Sequence, residues 1–192
     1  MAYEETTDPI QKYRSLRSRI DEKIKRLEEL HGADITCRPG CTVCCVNLTV
    51  FPIEFNAILE DLAKTHALKK KDFLFNETAP CGFLSEGLCQ IYLFRPIICR
   101  THGFPILFLD NSQEAPAWEV SFCELNFQNK TGIEFTDDGL LDIETINAEL
   151  NHINEQFISS LSGNEYSTHQ RIRLKELCKN LKSTKEDPQE GC

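Results

Sequence analysis

The chain has 192 residues, enough for one domain with a real core, and sets 21 Lys and Arg against 30 Asp and Glu for a net charge of −9. That acidic balance argues against sequence-independent binding to nucleic acid or to an anionic membrane, since both require a basic face that displaces counterions. Apolar runs such as residues 104–109 are too short to span a bilayer. The first residues, Met1-Ala-Tyr-Glu-Glu, have neither the basic nor the apolar stretch of an export signal, so a cytoplasmic location is expected.

Leu (21) and Ile (16) far outnumber Val (4), which tilts the chain toward helix. Asp8-Pro9 pairs an N-cap residue with Pro at the first helical position and opens a helix over 8–31. Ile10, Tyr13, Leu16, Ile20, Ile24, Leu27 and Leu30 mark its apolar stripe, and Gly32 ends it. A second helix over 52–66 begins at Pro52 and carries Phe55, Ile58, Leu59 and Leu62, with Lys69-Lys70-Lys71 as its solvated exit. From residue 73 to 103 no period holds. Residues 104–109 and 118–122, separated by Asp110-Asn111-Ser112 and Pro116, read as a small hairpin.

Asp142 caps a third helix over 142–162, with Ile146, Leu150, Ile153, Phe157 and Leu161 at helical spacing and Gly163 beyond. Ser167 and Gln170 form a capping-box pattern for a fourth helix over 168–182 carrying Ile172, Leu174, Leu177 and Leu181. Residues 183–192 are polar and expected to be a disordered tail. The fold expected is mainly α: a single helical domain over 1–182, built around a cysteine-rich irregular metal-binding core and including one small β-hairpin.

Cysteine is the outlier, at ten residues. The first cluster is Cys37-x3-Cys41-x2-Cys44-Cys45; Cys81, Cys89, Cys99 and Cys123 follow at wider spacing, all in segments without regular periodicity. Cys178 falls within an amphipathic pattern and reads as an ordinary buried thiol, and Cys192 as an incidental one. In a reducing compartment thiols do not pair, so eight of them in loops point to a soft metal or an iron–sulfur cluster. Pro39-Gly40 supplies a bend between the first two ligands. Vicinal Cys44 and Cys45 cannot easily turn both sulfurs onto one small ion, and they are poor partners for a disulfide. The spacing Cys37-x3-Cys41-x2-Cys44 also matches that of radical SAM enzymes, but here it follows an amphipathic helix and no βαβ alternation comes after it.

Arg38, Arg95 and Arg100 sit beside ligand candidates and are placed to offset thiolate charge, or else are ordinary surface residues. His102 reads as a ligand, an acid–base group or a loop-stabilising side chain; His31, His66, His152 and His169 read as solvated. Asp137-Asp138-Gly139 reads as a turn.

Taken together, Cys37-x3-Cys41-x2-Cys44-Cys45, Pro80-Cys81-Gly-Phe-Leu84, Gly87-Leu-Cys89-Gln-Ile-Tyr92, Arg95-Pro96-Ile-Ile-Cys99-Arg100 and Cys123 resemble the YkgJ-type cysteine-cluster family, over roughly residues 37–123. The resemblance implies a zinc- or iron-chelating domain with eight characteristic cysteines. It therefore carries over Cys37, Cys41, Cys44, Cys45, Cys81, Cys89, Cys99 and Cys123 as metal-ligand candidates.

Zinc sites usually show two tight knuckles, and only Cys41-x2-Cys44 has that form, so the reading leans to an iron–sulfur cluster of [4Fe–4S] type over Zn²⁺. The function expected is metal binding, with a protein partner or substrate unidentified. The alternative is an enzyme: a flagellin-type protein lysine N-methyltransferase, as in one branch of the resembled family, or an iron–sulfur oxidoreductase.

Overall fold

The computed structural model describes residues 7–65, 79–112, 114–130, 132–163 and 165–177. These group into two compact units: the first takes residues up to 14, 39–96 and those from 153 on, and the second takes 15–38 and 97–152. The expected polar tail, Cys178, Cys192, His66 and the Lys69–71 helix exit lie outside the described residues.

Helix α1, Pro9–His31, starts where its cap signal places it: the Asp8 carboxylate accepts the Ile10 N–H at 3.0 Å. Ile10, Tyr13, Leu16, Ile20, Ile24 and Leu27 are buried along it, whereas Leu30, at the end of the expected stripe, is exposed. Strand β1, Thr49–Val50, leads into α2, Pro52–Lys64, which has Pro at its first position and a Glu54 carboxylate accepting the Phe51 N–H at 3.1 Å. The Asp61 carboxylate on α2 accepts two hydrogen bonds from the Arg14 guanidinium, at 2.6 and 2.9 Å.

In the first unit, β2 (Leu84–Ser85) and β3 (Leu88–Cys89) form a hairpin, with Leu84 opposite Cys89 and Ser85 opposite Leu88. Its two turn residues, Glu86 and Gly87, both have positive φ, 51° and 77°, as a type I′ turn requires; the mirror-image turn matches the right-handed twist of the strands. A 3₁₀ turn follows at Tyr92–Phe94. Val50, Phe55, Ile58, Leu62, Phe83 and Ile91 are buried in one apolar cluster together with Leu174 and Leu177, and Cys81 and Cys89 pack against it.

In the second unit, the short α3 (Ile97–Thr101) precedes β4 (Ile106–Asp110) and β5 (Ala117–Ser121), the hairpin expected from sequence. Strand β6, Leu141–Asp142, adds to β4 in parallel, giving the order β5-β4-β6. Asp137–Gly139 forms the expected turn, as a single 3₁₀ turn. Asp142 then caps α4, Ile143–Ser160, through its carboxylate to the Thr145 N–H at 3.0 Å and hydroxyl at 2.6 Å.

Two expectations are corrected. The helix expected over 168–182 is not formed at 168–175: the chain turns at 168–169, and Ile172–Arg173 is strand β7, antiparallel to β1 with Val50 opposite Ile172. Ser167 and Gln170 do bond as a box would, the Ser167 N–H donating to the Gln170 side chain at 3.2 Å, but they close a turn. Helical backbone appears only at Glu176 and Leu177, the last described residues. The mainly α expectation gives way to a mixed architecture of four helices and three small sheets among the described residues. The scarcity of Val misled here, because strands two residues long need little β-propensity when a neighbouring edge supplies the ladder.

Candidate metal centre

The eight candidate ligands divide between the two units. Cys41, Cys44, Cys45, Cys81 and Cys89 belong to the first, and Cys37, Cys99 and Cys123 to the second. All eight are held as thiols, with Cys44 exposed and the other seven half-buried.

In the first unit the bend at Pro39-Gly40 is formed, with Gly40 at φ +98°. The Cys45 N–H then donates to the Thr42 carbonyl at 2.9 Å, closing a turn that carries Cys44. A Cβ built on Gly87 would lie 3.7 Å from the Gly40 Cα, so the bend and the hairpin turn stand side by side. Cys81 begins a turn of its own, with the Leu84 N–H donating to its carbonyl at 3.1 Å, and β3 ends at Cys89. Phe83, 1% exposed, anchors the segment between them in the core.

This arrangement brings the Cys44, Cys81 and Cys89 sulfurs within electrostatic reach of Cys45. Burial pushes the Cys45 thiol up to about 11, and the neighbouring Cys44, Cys81 and Cys89 sulfurs push in the same direction. Burial also raises the Cys89 thiol, opposed by a hydrogen bond from the Ile91 N–H and by the positive charge of Arg95. Arg95 is thus one of the three flanking arginines that does face a candidate ligand; its guanidinium stacks 3.8 Å from the Tyr92 ring centre. Arg38 is exposed. Arg100 is buried and donates to both carboxylate oxygens of Asp21, at 2.5 and 2.6 Å, so its charge is engaged there.

In the second unit, Cys37 and Cys123 meet the same glycine. A Cβ on Gly103 would lie 2.8 Å from the Cys37 sulfur, and the Cys123 N–H donates to the Gly103 carbonyl at 3.4 Å. Cys99 lies on α3, four residues before Gly103. Asn126, three residues after Cys123, is buried and donates to both the Gly103 carbonyl and the Cys37 sulfur. Sequence reasoning passed over it; a short polar residue in register with a cysteine turn was the available signal.

His31 corrects its solvated reading. Its Nε2 is 2.9 Å from the Gly139 carbonyl, and its ring meets Phe127 and Phe135 edge-on. His152 and His169 are exposed, as expected.

Among the described residues, no three Cys, His, Asp or Glu side chains converge into a set able to hold a metal ion as they stand. The donor chemistry nonetheless suits a thiophilic group, since the side chains that act on Cys45 in the first unit are all thiols. A cleft of about 390 Å³ in the second unit is lined by residues of α1, β4, β6 and α4, among them Leu16, Ile20, Leu107 and Ile146; none of the eight cysteines lines it, nor does His102. No described helix is long and apolar enough to cross a membrane.

Residues 36–124 match the model of the CxxCxxCC family, described as "Putative zinc- or iron-chelating domain". The matched stretch, a little under half of the chain, is similar to that domain. Its limits enclose all eight candidate cysteines and leave out Cys178 and Cys192, in agreement with the division drawn from spacing. The matched residues come from both compact units. No curated protein and no solved structure matches the chain.

Proposed function

We propose that this chain is a cytoplasmic metal-binding protein whose CxxCxxCC domain holds an iron–sulfur cluster on thiolates of the first unit. The observation that carries the reading is that the Cys44, Cys81 and Cys89 sulfurs, from three separate stretches of chain, all act electrostatically on Cys45. Four soft donors and no oxygen ligand favour a thiophilic metal over Ca²⁺ or Mg²⁺. Vicinal Cys44 and Cys45 favour a cluster over a single ion, because separate irons of one cluster offer neighbouring thiolates separate coordination positions. The charge of Arg95 beside Cys89 offsets part of the negative charge that such a centre accumulates.

Cys37, Cys99 and Cys123 extend the proposal with a second thiolate set in the second unit. The metal's role is structural, with redox activity where the cluster can change charge. A protein partner fits this role better than nucleic acid, given the acidic chain.

The test is anaerobic purification of the full chain, followed by elemental analysis, a sulfide assay and a visible spectrum. Iron with matching sulfide and a broad absorbance toward the blue end is the expected result, lost in Cys81→Ser and Cys89→Ser. A colourless zinc-loaded protein overturns the cluster, and a protein free of both metals overturns the whole reading.

A further inference from the structure

The turn after Cys123 holds a buried amide that the metal-binding proposal does not use. Asn126 is 2% exposed, and its side chain makes four hydrogen bonds. Its neighbours fix which way the amide faces. The Thr36 backbone N–H, 2.8 Å from Oδ1, can only donate, and the Gly103 carbonyl, 2.6 Å from Nδ2, can only accept. The oxygen therefore faces Thr36, and Nδ2 is the atom left to donate to the Cys37 sulfur, at 3.8 Å.

Gly103 forms the other side of the cradle. Its φ of +92° disfavours any side chain, and a Cβ there would come within 2.8 Å of the same sulfur. The backbone just beyond Asn126 is fixed as well. Phe127 has a φ of 57°, unusual for a bulky residue, and its ring is held edge-on among His31, Phe122 and Phe135.

We infer that Asn126 is a positioning residue for metal binding: its Nδ2–H group donates to the Cys37 sulfur and, with Gly103, holds that sulfur in place for ligation. This rests on the thiolate reading of the second unit proposed above. A ligating thiolate carries charge that an amide donor stabilises, so outer partners of this kind set affinity and, in a cluster, reduction potential.

The test uses the full chain under anaerobic, reducing conditions with cobalt(II) as the probe, read by its thiolate-to-metal absorption. Asn126→Asp keeps the shape of the side chain and the oxygen facing Thr36 but replaces the donor. It is expected to weaken the cobalt binding that Cys37→Ser abolishes by about 10- to 100-fold, and to shift its absorption band. Thr36→Val removes a hydroxyl partner of Asn126 and leaves the donor in place, so it is expected to bind as the wild type does.

Wild-type affinity in Asn126→Asp, or equal weakening in both variants, overturns the inference while leaving metal binding intact. Absence of any thiolate–cobalt absorption in the wild type removes the functional reading and this inference with it. Should Asn126→Asp fail to fold, nitrogen-15 NMR of the wild type decides. The Asn126 side-chain amide resonances are expected to move on cobalt binding, and not in Cys37→Ser; resonances that stay fixed overturn the inference.

Discussion

Cys81 and Cys89 are carried on apolar packing, whereas the Cys37 sulfur and the Cys123 backbone are tied to a polar clamp. In the first unit, Phe83 and Ile91 sit in the core and the two cysteines rest against it; a type I′ turn folds the segment back on itself. In the second unit, the Asn126 side chain and the Gly103 carbonyl gather the cysteine-bearing loops through hydrogen bonds. Burial raises the Cys45 and Cys89 thiols, since desolvation disfavours thiolate. A hydrogen-bond donor aimed at sulfur favours the charged form that a metal needs. The comparison teaches that sulfur is held chiefly by packing in the first unit, where the Ile91 N–H is a backbone donor to Cys89, and by a side-chain donor in the second. The two sets therefore respond to different substitutions.

The largest effect is expected at Phe83. Replacing this 1%-exposed ring by Ala removes the anchor between Cys81 and Cys89 and is expected to cost about 3–5 kcal/mol in denaturant unfolding. The same change should abolish the metal binding that depends on Cys81 and spare that which depends on Cys37; equal loss of both would break the comparison. Asn126→Ala comes next. It leaves the Thr36 N–H and the Gly103 carbonyl without their side-chain partner and is expected to cost about 1–3 kcal/mol, measured in the same way.

Asp142 serves as a control that should touch neither thiol set. Its carboxyl is held below the ordinary range, first by the Thr145 hydroxyl and then by the Thr145 backbone N–H. Because the folded value is the depressed one, the stability it contributes is present above about pH 4. It is lost as pH falls through the lower, folded value. Asp142→Ala is expected to cost about 1 kcal/mol at neutral pH and to flatten that acid limb, with metal content unchanged.

The smallest effect is chemical. In metal-free protein, Cys45, with its thiol near 11, is expected to alkylate slowly at pH 8, its rate rising until the pH approaches that value, as followed by mass spectrometry. The sign for stability follows. The raised thiol favours the folded, metal-free state below about pH 8.5, and that contribution falls away as pH climbs toward 11. Alkylation of Cys45 at the rate of an ordinary thiol would contradict the packed description of the first unit.

Much of the scaffold was legible because local signals and burial agreed. Asp8-Pro9 opened α1 and Asp142 opened α4 through caps that form as read, and residues 106–121 made their hairpin. The stretch from 168 failed for a tertiary reason. Ile172 and Leu174 are two apart, a strand spacing embedded in a helical pattern, and the edge of β1 captured them: Val50 pairs with Ile172, and the Leu174 N–H donates to the Leu48 carbonyl. The eight ligand candidates were readable from spacing, but their grouping was not. Cys37 lies four residues from Cys41 in sequence and yet belongs with Cys123 and Asn126, because the polar clamp holds it there. Nothing in a one-dimensional pattern marks that division.

The central claim is that these sulfurs bind the metal, and X-ray absorption at the metal edge of the anaerobically purified full chain tests it most directly. The account predicts a first shell of sulfur neighbours at about 2.3 Å, reduced in number in Cys81→Ser. A first shell of nitrogen and oxygen alone would contradict it.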